Sequence, residues 1–377
     1  MNEYPVLAPI LRGALRTDET GPAVVRMPAG RELPDGALSL DLNDCSDVAG
    51  MARRAAETFA GIRSAERPAP AYVDAGDAGV FRIEYSGDPS SVARPASGRM
   101  EGRIALVTGG AQGFGEEIVR NLCSQGARVY IADLNESKAA ELAGELNAAS
   151  AASEAGSIPV AWAVKADVSD EESVAAMVAE VVEISGGLDL LVNNAGVLRA
   201  GSVKSLSKRD FDFVTSINYS AYFLCVKHFS RLLALQNMAD GAYFSDIIQI
   251  NSKSGLQGSN KNAAYAGGKF GGIGLTQSFA MELVEDNIKV NAICPGNFFE
   301  GPLWSDPEKG LFVQYLNTGK VPGAKTIEDV KAFYEAKVPM GRGCRGDDVA
   351  RAIYYAVEQK YETGQAIPVT GGQIMLN

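Results

Sequence analysis

Ile104-Ala105-Leu106-Val107-Thr108-Gly109-Gly110-Ala111-Gln112-Gly113-Phe114-Gly115 is an apolar run that breaks into glycines, and from Glu116 to Ser124 the apolar residues then recur at helical spacing. A strand that turns straight into a helix through glycine gathers backbone N–H groups and the positive end of the helix dipole at one point, which suits a pyrophosphate. Gly109 and Gly113 permit the close approach, Gly115 lets the helix pack on the sheet, and Gln112 and Phe114 belong to the same turn. A glycine pattern alone also occurs in plain turns, so its context decides. Asp133 ends the second strand, twenty residues beyond Gly113. A carboxylate there can accept both hydroxyls of an adenosine ribose and would repel a 2′-phosphate. Gln112 and Leu134 stand where a site for NADP would be expected to carry Arg or Lys. The expected cofactor is NAD.

Outward from this turn, short β-branched runs alternate with helical stretches, which is the pattern of βαβ units. The spacing predicts strands at 103–108, 128–132, 160–166, 188–193, 246–252, 288–294 and 366–370, and helices including 116–124, 171–184, 208–235, 263–285 and 346–358. The fold class is α/β, a Rossmann-type doubly wound parallel sheet with its ligand crevice at the carboxyl ends of the strands. Asp167-Val168 ends the third strand, within reach of an adenine edge. Asn193-Asn194-Ala195-Gly196 ends the fourth, where small residues line a cofactor. Residues 1–99 differ, being rich in Ala, Gly, Pro and Arg, and 86–99 read as a linker. Val48, Met51, Ala55, Phe59 and Ile62 share one helical face, and Phe81, Ile83 and Tyr85 alternate with charges as in a half-buried strand. The chain thus divides into a small N-terminal α/β module carrying no functional motif and a larger Rossmann-type domain at 100–377.

The formal charge of −11 argues against a nucleic-acid or anionic-membrane surface. No apolar run is long enough to span a bilayer, and the first residues lack the layout of a signal peptide. Five scattered cysteines without a C-x-x-C pair suit reduced thiols and a cytoplasmic location. The single histidine, His228, leaves too few imidazoles for most zinc sites, so no metal is expected, and its place in the apolar helical stretch 222–235 reads as structural rather than as the base of a Ser-His-Asp triad.

Other acids and bases must therefore act. Tyr265 and Lys269 are four apart in a helical stretch and share a face. A phenol is a poor base at neutral pH, and an adjacent ammonium and a positive nicotinamide would favour the phenolate. Ser252, at the end of the fifth strand, lies at the same sheet edge and can hydrogen-bond an alcohol or ketone oxygen. Tyr-x-x-x-Lys by itself recurs by chance in many helices.

Jointly, Thr108-Gly109-x-x-x-Gly113-x-Gly115, Asn193-Asn194-Ala195-Gly196, Asn218, Ser252, Tyr265-x-x-x-Lys269 and Pro295-Gly296 resemble the short-chain dehydrogenase/reductase family in order and spacing. The resemblance implies that Tyr265 is the acid/base, that Lys269 also binds the nicotinamide ribose, that Ser252 positions substrate and that Asn218 holds a water in a proton relay. It implies further that Pro295 and Gly296 border the nicotinamide, with Phe298 beside its carboxamide, and it favours a homotetramer built through the helices at 208–235 and 263–285. Within the family, the blocks 247–255, 269–278, 337–339, 342–344 and 369–373 are similar to the sorbitol-6-phosphate 2-dehydrogenases, which interconvert a sugar-alcohol phosphate and fructose 6-phosphate.

The expected activity is thus hydride transfer between NAD and a small polyol or polyol phosphate. A long connection at 297–340 is the expected substrate lid. Ser252, Lys253, Lys261 and Asn297 are the candidate substrate residues, with Lys320, Lys325, Arg342 and Arg345 as further cations in or near the lid. The alternatives are a dehydrogenase of an unphosphorylated polyol or small hydroxy ketone, and an idle NAD-sensing scaffold whose residues 1–99 recruit a partner. A carrier-protein-linked ketoacyl reductase fits less well, because an acidic surface repels an acidic carrier.

Overall fold

The structure is a computed structural model that describes residues 4–16, 22–28, 36–43, 45, 47–63, 70–85, 98–150, 159–308, 310–317, 319 and 321–375. The N-terminal part contains α1 (Tyr4–Ala14), β1 (Ala23–Arg26), β2 (Leu38–Ser39), α2 (Val48–Thr58), α3 (Ala60–Arg63), β3 (Tyr72–Asp74) and β4 (Val80–Glu84). Its strands form a four-stranded sheet in the order β1-β4-β3-β2. The helical face and the alternating strand expected here are both present: Phe59, Phe81 and Ile83 are buried, and the Asp47 side chain caps α2 by accepting from the Gly50 N–H at 2.6 Å. Most of the linker, residues 86–97, lies outside the described residues.

The larger part follows as β5 (Ile104–Thr108), α4 (Gly113–Ser124), β6 (Arg128–Asp133), α5 (Glu136–Ala149), β7 (Ala161–Lys165), α6 (Glu171–Ser185), β8 (Leu190–Asn193), α7 (Lys208–Thr215), α8 (Ala221–Asn237), β9 (Ser245–Ile250), α9 (Ala263–Leu283), β10 (Ile288–Pro295), α10 (Pro302–Ser305), α11 (Leu311–Asn317), α12 (Ile327–Glu335), α13 (Gly346–Glu358) and β11 (Ala366–Val369). The seven-stranded sheet runs β11-β10-β9-β8-β5-β6-β7, with every pairing parallel. All five residues of β5 are buried, as expected of a parallel strand covered on both faces. Chain order reverses between β5 and β8, so the crevice opens at their carboxyl ends, beside the glycine turn.

Two findings depart from the sequence reading. The helix expected at 208–235 is interrupted by a π-helical turn at Ser216–Ser220, where the Ala221 N–H reaches back to the Ser216 carbonyl. The N-terminal module also shares its core with the sheet domain. Leu7, Ile10, Leu11 and Val24 pack in one apolar cluster with residues of α6, β8 and α8, and Arg12 and Arg16 are buried against Asp189. Among the described residues no helix is long and apolar enough to cross a membrane, and none of the five cysteines is paired. His228 faces Glu171 at 3.1 Å, a surface contact shared with Lys227.

Candidate active site

The glycine turn has the shape its sequence requires. Gly109 and Gly113 adopt φ of +61° and +60°, a conformation costly for side-chain-bearing residues. A Cβ on Gly115 would collide with the Gly109 carbonyl, whereas one on Gly113 would meet only Pro302, at 4.0 Å. The turn is therefore open where a phosphate would approach. Gln112 precedes α4 without making a side-chain cap, which leaves the first N–H groups of the helix for a ligand. Asp133, buried at the end of β6, accepts from the Ala111 N–H at 3.1 Å and the Asn135 N–H at 2.9 Å, so the carboxylate is aimed beside the turn. These features fit a dinucleotide. Leu134 is exposed next to Asp133. Lys138, in the first turn of α5, places its ammonium 3.5 Å from Gln112 Oε1, a cation that sequence reading missed because a different element supplies it.

At the β8 end, the Asn194 Nδ2 donates to the Thr108 and Gly109 carbonyls, both at 3.0 Å, and the Asn194 and Ala195 N–H groups donate to Thr108 Oγ1 at 3.0 and 3.1 Å. The Asn194 amide thus braces the glycine turn, and Thr108 emerges as its unanticipated partner. Asp167 is exposed and accepts from both the N–H and hydroxyl of Ser169, while Val168 is turned inward. Across the crevice Phe114 stacks on Phe298 with centroids 4.4 Å apart and planes within 13°. Two residues named separately in the sequence therefore form one aromatic bridge between the turn and the start of the 297–340 connection. Pro295 ends β10, and the Gly296 N–H donates to the Val369 carbonyl at 2.9 Å.

The chemistry-bearing residues converge at the ends of β8 and β9. Ser252 caps a short 3-10 turn by accepting from the Ser254 N–H at 3.1 Å, and its side chain adjoins the Tyr265 phenol. One turn further along α9, Lys269 is buried; its Nζ donates to the Ile250 carbonyl at 2.8 Å and lies 5.7 Å from the Tyr265 ring centroid. Burial pushes the Tyr265 phenol up, and the adjoining Ser252 hydroxyl opposes it. Burial pulls the Lys269 ammonium down to about 8. Asn218 sits in the π-helical turn with its side chain held by Val197: Oδ1 accepts from the Val197 N–H and Nδ2 donates to the Val197 carbonyl, each at 2.8 Å. Gly196 must be small, since a Cβ there would lie 3.2 Å from Asn218 Oδ1 and 3.9 Å from Lys269 Nζ. Sequence reading missed Asn251, whose Nδ2 donates to Gln249 Oε1 at 2.7 Å and to the Lys269 carbonyl at 2.9 Å, joining β9 to α9.

The substrate candidates do not all meet. Lys253 begins the 3-10 turn beside Ser252 and is half-buried. Lys261 is exposed, with φ of +56°, and its carbonyl accepts from the Gly201 N–H. The Asn297 carbonyl accepts from the Cys344 N–H at 2.8 Å, tying the start of the 297–340 connection to its far end. That connection carries α10, α11 and α12 around a core of its own, with Phe299, Trp304, Phe312, Val330 and Val338 buried. Arg342 is bound to Asp348 at 2.6 and 2.9 Å, and Arg345 lies 3.6 Å from Glu300. Lys325 is exposed, and Lys320 lies outside the described residues.

A family model described as short chain dehydrogenase matches residues 103–304. The sorbitol-6-phosphate 2-dehydrogenase of Escherichia coli (strain K12) is 39% identical over 275 residues, covering 72% of this chain and 99% of that protein. A sorbitol dehydrogenase of Cereibacter sphaeroides is 32% identical over 279 residues, covering 74% of this chain and 99% of that protein. The crystal structure of sorbitol-6-phosphate 2-dehydrogenase SrlD from Erwinia amylovora aligns with a TM-score of 0.64 at 39% identity, covering 72% of this chain and 100% of that one.

Proposed function

We propose that this chain, which belongs to the short-chain dehydrogenase family, transfers a hydride between NAD and the secondary alcohol of a sugar-alcohol phosphate such as sorbitol 6-phosphate, giving fructose 6-phosphate. The observation that carries the reading is Tyr265 beside Ser252, one helical turn from the buried Lys269, whose Nζ lies 5.7 Å from the Tyr265 ring centroid. The nicotinamide, when bound, supplies the hydride acceptor. Tyr265 takes the hydroxyl proton during oxidation and returns it during reduction, while Ser252 holds the substrate oxygen. Lys269, with its pKa near 8, is mostly protonated at neutral pH and opposes the cost of a buried phenolate. Val197 holds the Asn218 amide in place, and Asn218, in the π-helical turn, is the residue that holds a relay water moving protons outward.

For the cofactor, the turn at Gly109, Gln112, Gly113, Phe114 and Gly115 holds the pyrophosphate and Asp133 the adenosine ribose. Leu134, Asp167 and Val168 flank the adenine, and Ala195, Gly196, Pro295, Gly296 and Phe298 border the nicotinamide. Apolar residues exposed on α7, α8 and α9, among them Phe211, Phe223, Phe270 and Met281, support a homotetramer in the cytoplasm, which light scattering would test. Mixing the protein with NAD and a panel of polyols and polyol phosphates while following NADH absorbance tests the activity. Oxidation of sorbitol 6-phosphate in preference to sorbitol is expected. Equal or better use of a neutral polyol would favour the unphosphorylated reading, which the Cereibacter relative's name also supports. No NADH from any polyol would favour the scaffold.

A further inference from the structure

We infer that Lys253 and Lys337 together form the site for the substrate's phosphoryl group, one from the turn beside the catalytic serine and one from the far end of the lid. The inference rests on the dehydrogenase reading above and adds the residues that select a phosphorylated substrate.

In this acidic chain most cations near the sheet edge are already neutralised. Arg342 is bound to Asp348, Arg345 lies against Glu300, and Lys227 holds Glu171 at 2.6 Å. Among the described residues no carboxylate forms an ion pair with Lys253 or Lys337. Lys253 is half-buried directly after Ser252, where an ammonium without a counter-charge is costly. Lys337 follows α12, and its Nζ lies 4.1 Å from the Phe333 ring centroid and 5.0 Å from that of Tyr334. The next residue, Val338, is buried against Gly371, and the Met340 N–H donates to the Gly371 carbonyl at 3.1 Å. This anchors the Lys337 segment over the end of β11. The ends of β9, β10 and β11 are neighbours, so Ser252-Lys253, Asn297 and the Lys337 segment share one rim.

The two ammoniums feel each other: burial lowers the Lys253 pKa, and the Lys337 charge lowers it further. Two like charges on one rim, Lys253 half-buried and Lys337 exposed, are stabilised when a dianion bridges them, and a phosphate monoester carries nearly two negative charges at neutral pH. Lys261, the other lysine near the serine in sequence, lies on a segment tied elsewhere, its carbonyl accepting from the Gly201 N–H, which removes it from this role.

The test measures kcat/KM for sorbitol 6-phosphate and for sorbitol in the wild type, Lys253→Met and Lys337→Met, together with inhibition by inorganic phosphate. Methionine keeps the apolar stem, and each ratio is internal to one protein, so partial loss of fold lowers both rates and leaves the ratio standing. Each substitution is expected to lower the sorbitol 6-phosphate to sorbitol ratio by roughly 10- to 150-fold, the worth of one charge-assisted contact. Inhibition by inorganic phosphate should weaken in parallel, and Lys253→Arg should restore most of the ratio. If the wild type prefers the phosphorylated substrate and both methionine variants keep that preference, the lysine pair is wrong and the function stands. A wild type that neither prefers the phosphorylated polyol nor responds to inorganic phosphate overturns the lysine pair and the phosphate reading together.

Discussion

Tyr265 works against its own surroundings. Burial favours the neutral phenol, and the adjoining Ser252 hydroxyl and the Lys269 charge are what make proton transfer accessible. Tyr265→Phe keeps the ring and removes the proton, so kcat should fall by about 10²-fold or more while NAD still binds, which fluorescence titration beside steady-state rates would check. The pH dependence follows from the same two groups. A phenol with a raised pKa gains phenolate only as pH rises, so oxidation should speed up from neutral pH upward. Lys269 loses its charge above about 8, so the rise should flatten there. Reduction needs the protonated phenol and should follow the opposite slope; oxidation that slows steadily between about pH 6 and 8 would contradict this assignment. At the ribose end Asp133 and Lys138 pull in opposite directions, the carboxylate against a 2′-phosphate and the ammonium toward one. Asp133 is the buried group aimed at the turn and should dominate. Asp133→Ala should therefore narrow the NAD over NADP preference in kcat/KM, and a protein that already uses both equally would show that Asp133 does not select.

The π-helical turn is the element that most changes how the site reads. Apolar spacing runs on through Ser216–Ser220, so a pattern of helical period has no way to register one extra residue per turn, although the turn is what brings Asn218 against Val197. Asn218→Ala would leave the Val197 N–H and carbonyl without partners, at a cost of about 2 kcal/mol in denaturant unfolding, and would lower kcat by shifting the backbone of the turn. Unchanged stability with unchanged kcat would mean that the amide holds nothing. The strands and the Ser252, Tyr265, Lys269 set were legible because each depends on spacing within one element. Lys138 and Lys337 were not, because α5 and the segment that follows α12 are placed only by tertiary packing. α5 itself gives a weak signal, with Ala139, Leu142 and Ala143 as its buried residues. α1 hides for another reason. It carries Pro9 within its span, a residue that counts against a helix interior.

At the scale of the whole molecule, the N-terminal module is tied to the sheet domain by both apolar contact and charge. Leu7, Ile10 and Leu11 are fully buried against elements of the larger part. Asp189, just before β8, accepts from Arg12, from Arg16 at 3.1 Å, from the Ile104 N–H at 2.8 Å and from the Tyr243 hydroxyl at 3.1 Å. Burial alone would raise this carboxyl, and the Arg12 and Arg16 guanidiniums outweigh it and hold it below the usual range. Reading residues 1–99 as an appendage on a linker predicts that removing them leaves the dehydrogenase intact. The packing predicts the opposite. A chain beginning at residue 100 would expose the apolar surface of α6 and α8 and leave Asp189 buried without either arginine, and breaking a buried pair costs about 3–5 kcal/mol. That is a large share of the stability of an ordinary domain. The truncated chain should therefore aggregate, or unfold well below the full-length protein in thermal denaturation followed by circular dichroism. Asp189→Asn in the full chain isolates the charge from the apolar contacts. It keeps the shape and removes the anion from two buried guanidiniums, so it should also lower the melting temperature. It should leave NAD affinity unchanged in whatever fraction stays folded, because Asp189 lies at the amino end of the sheet and the cofactor turn at the carboxyl end. A truncated chain that melts and turns over like the full-length protein would show that the module is the detachable unit its sequence suggests.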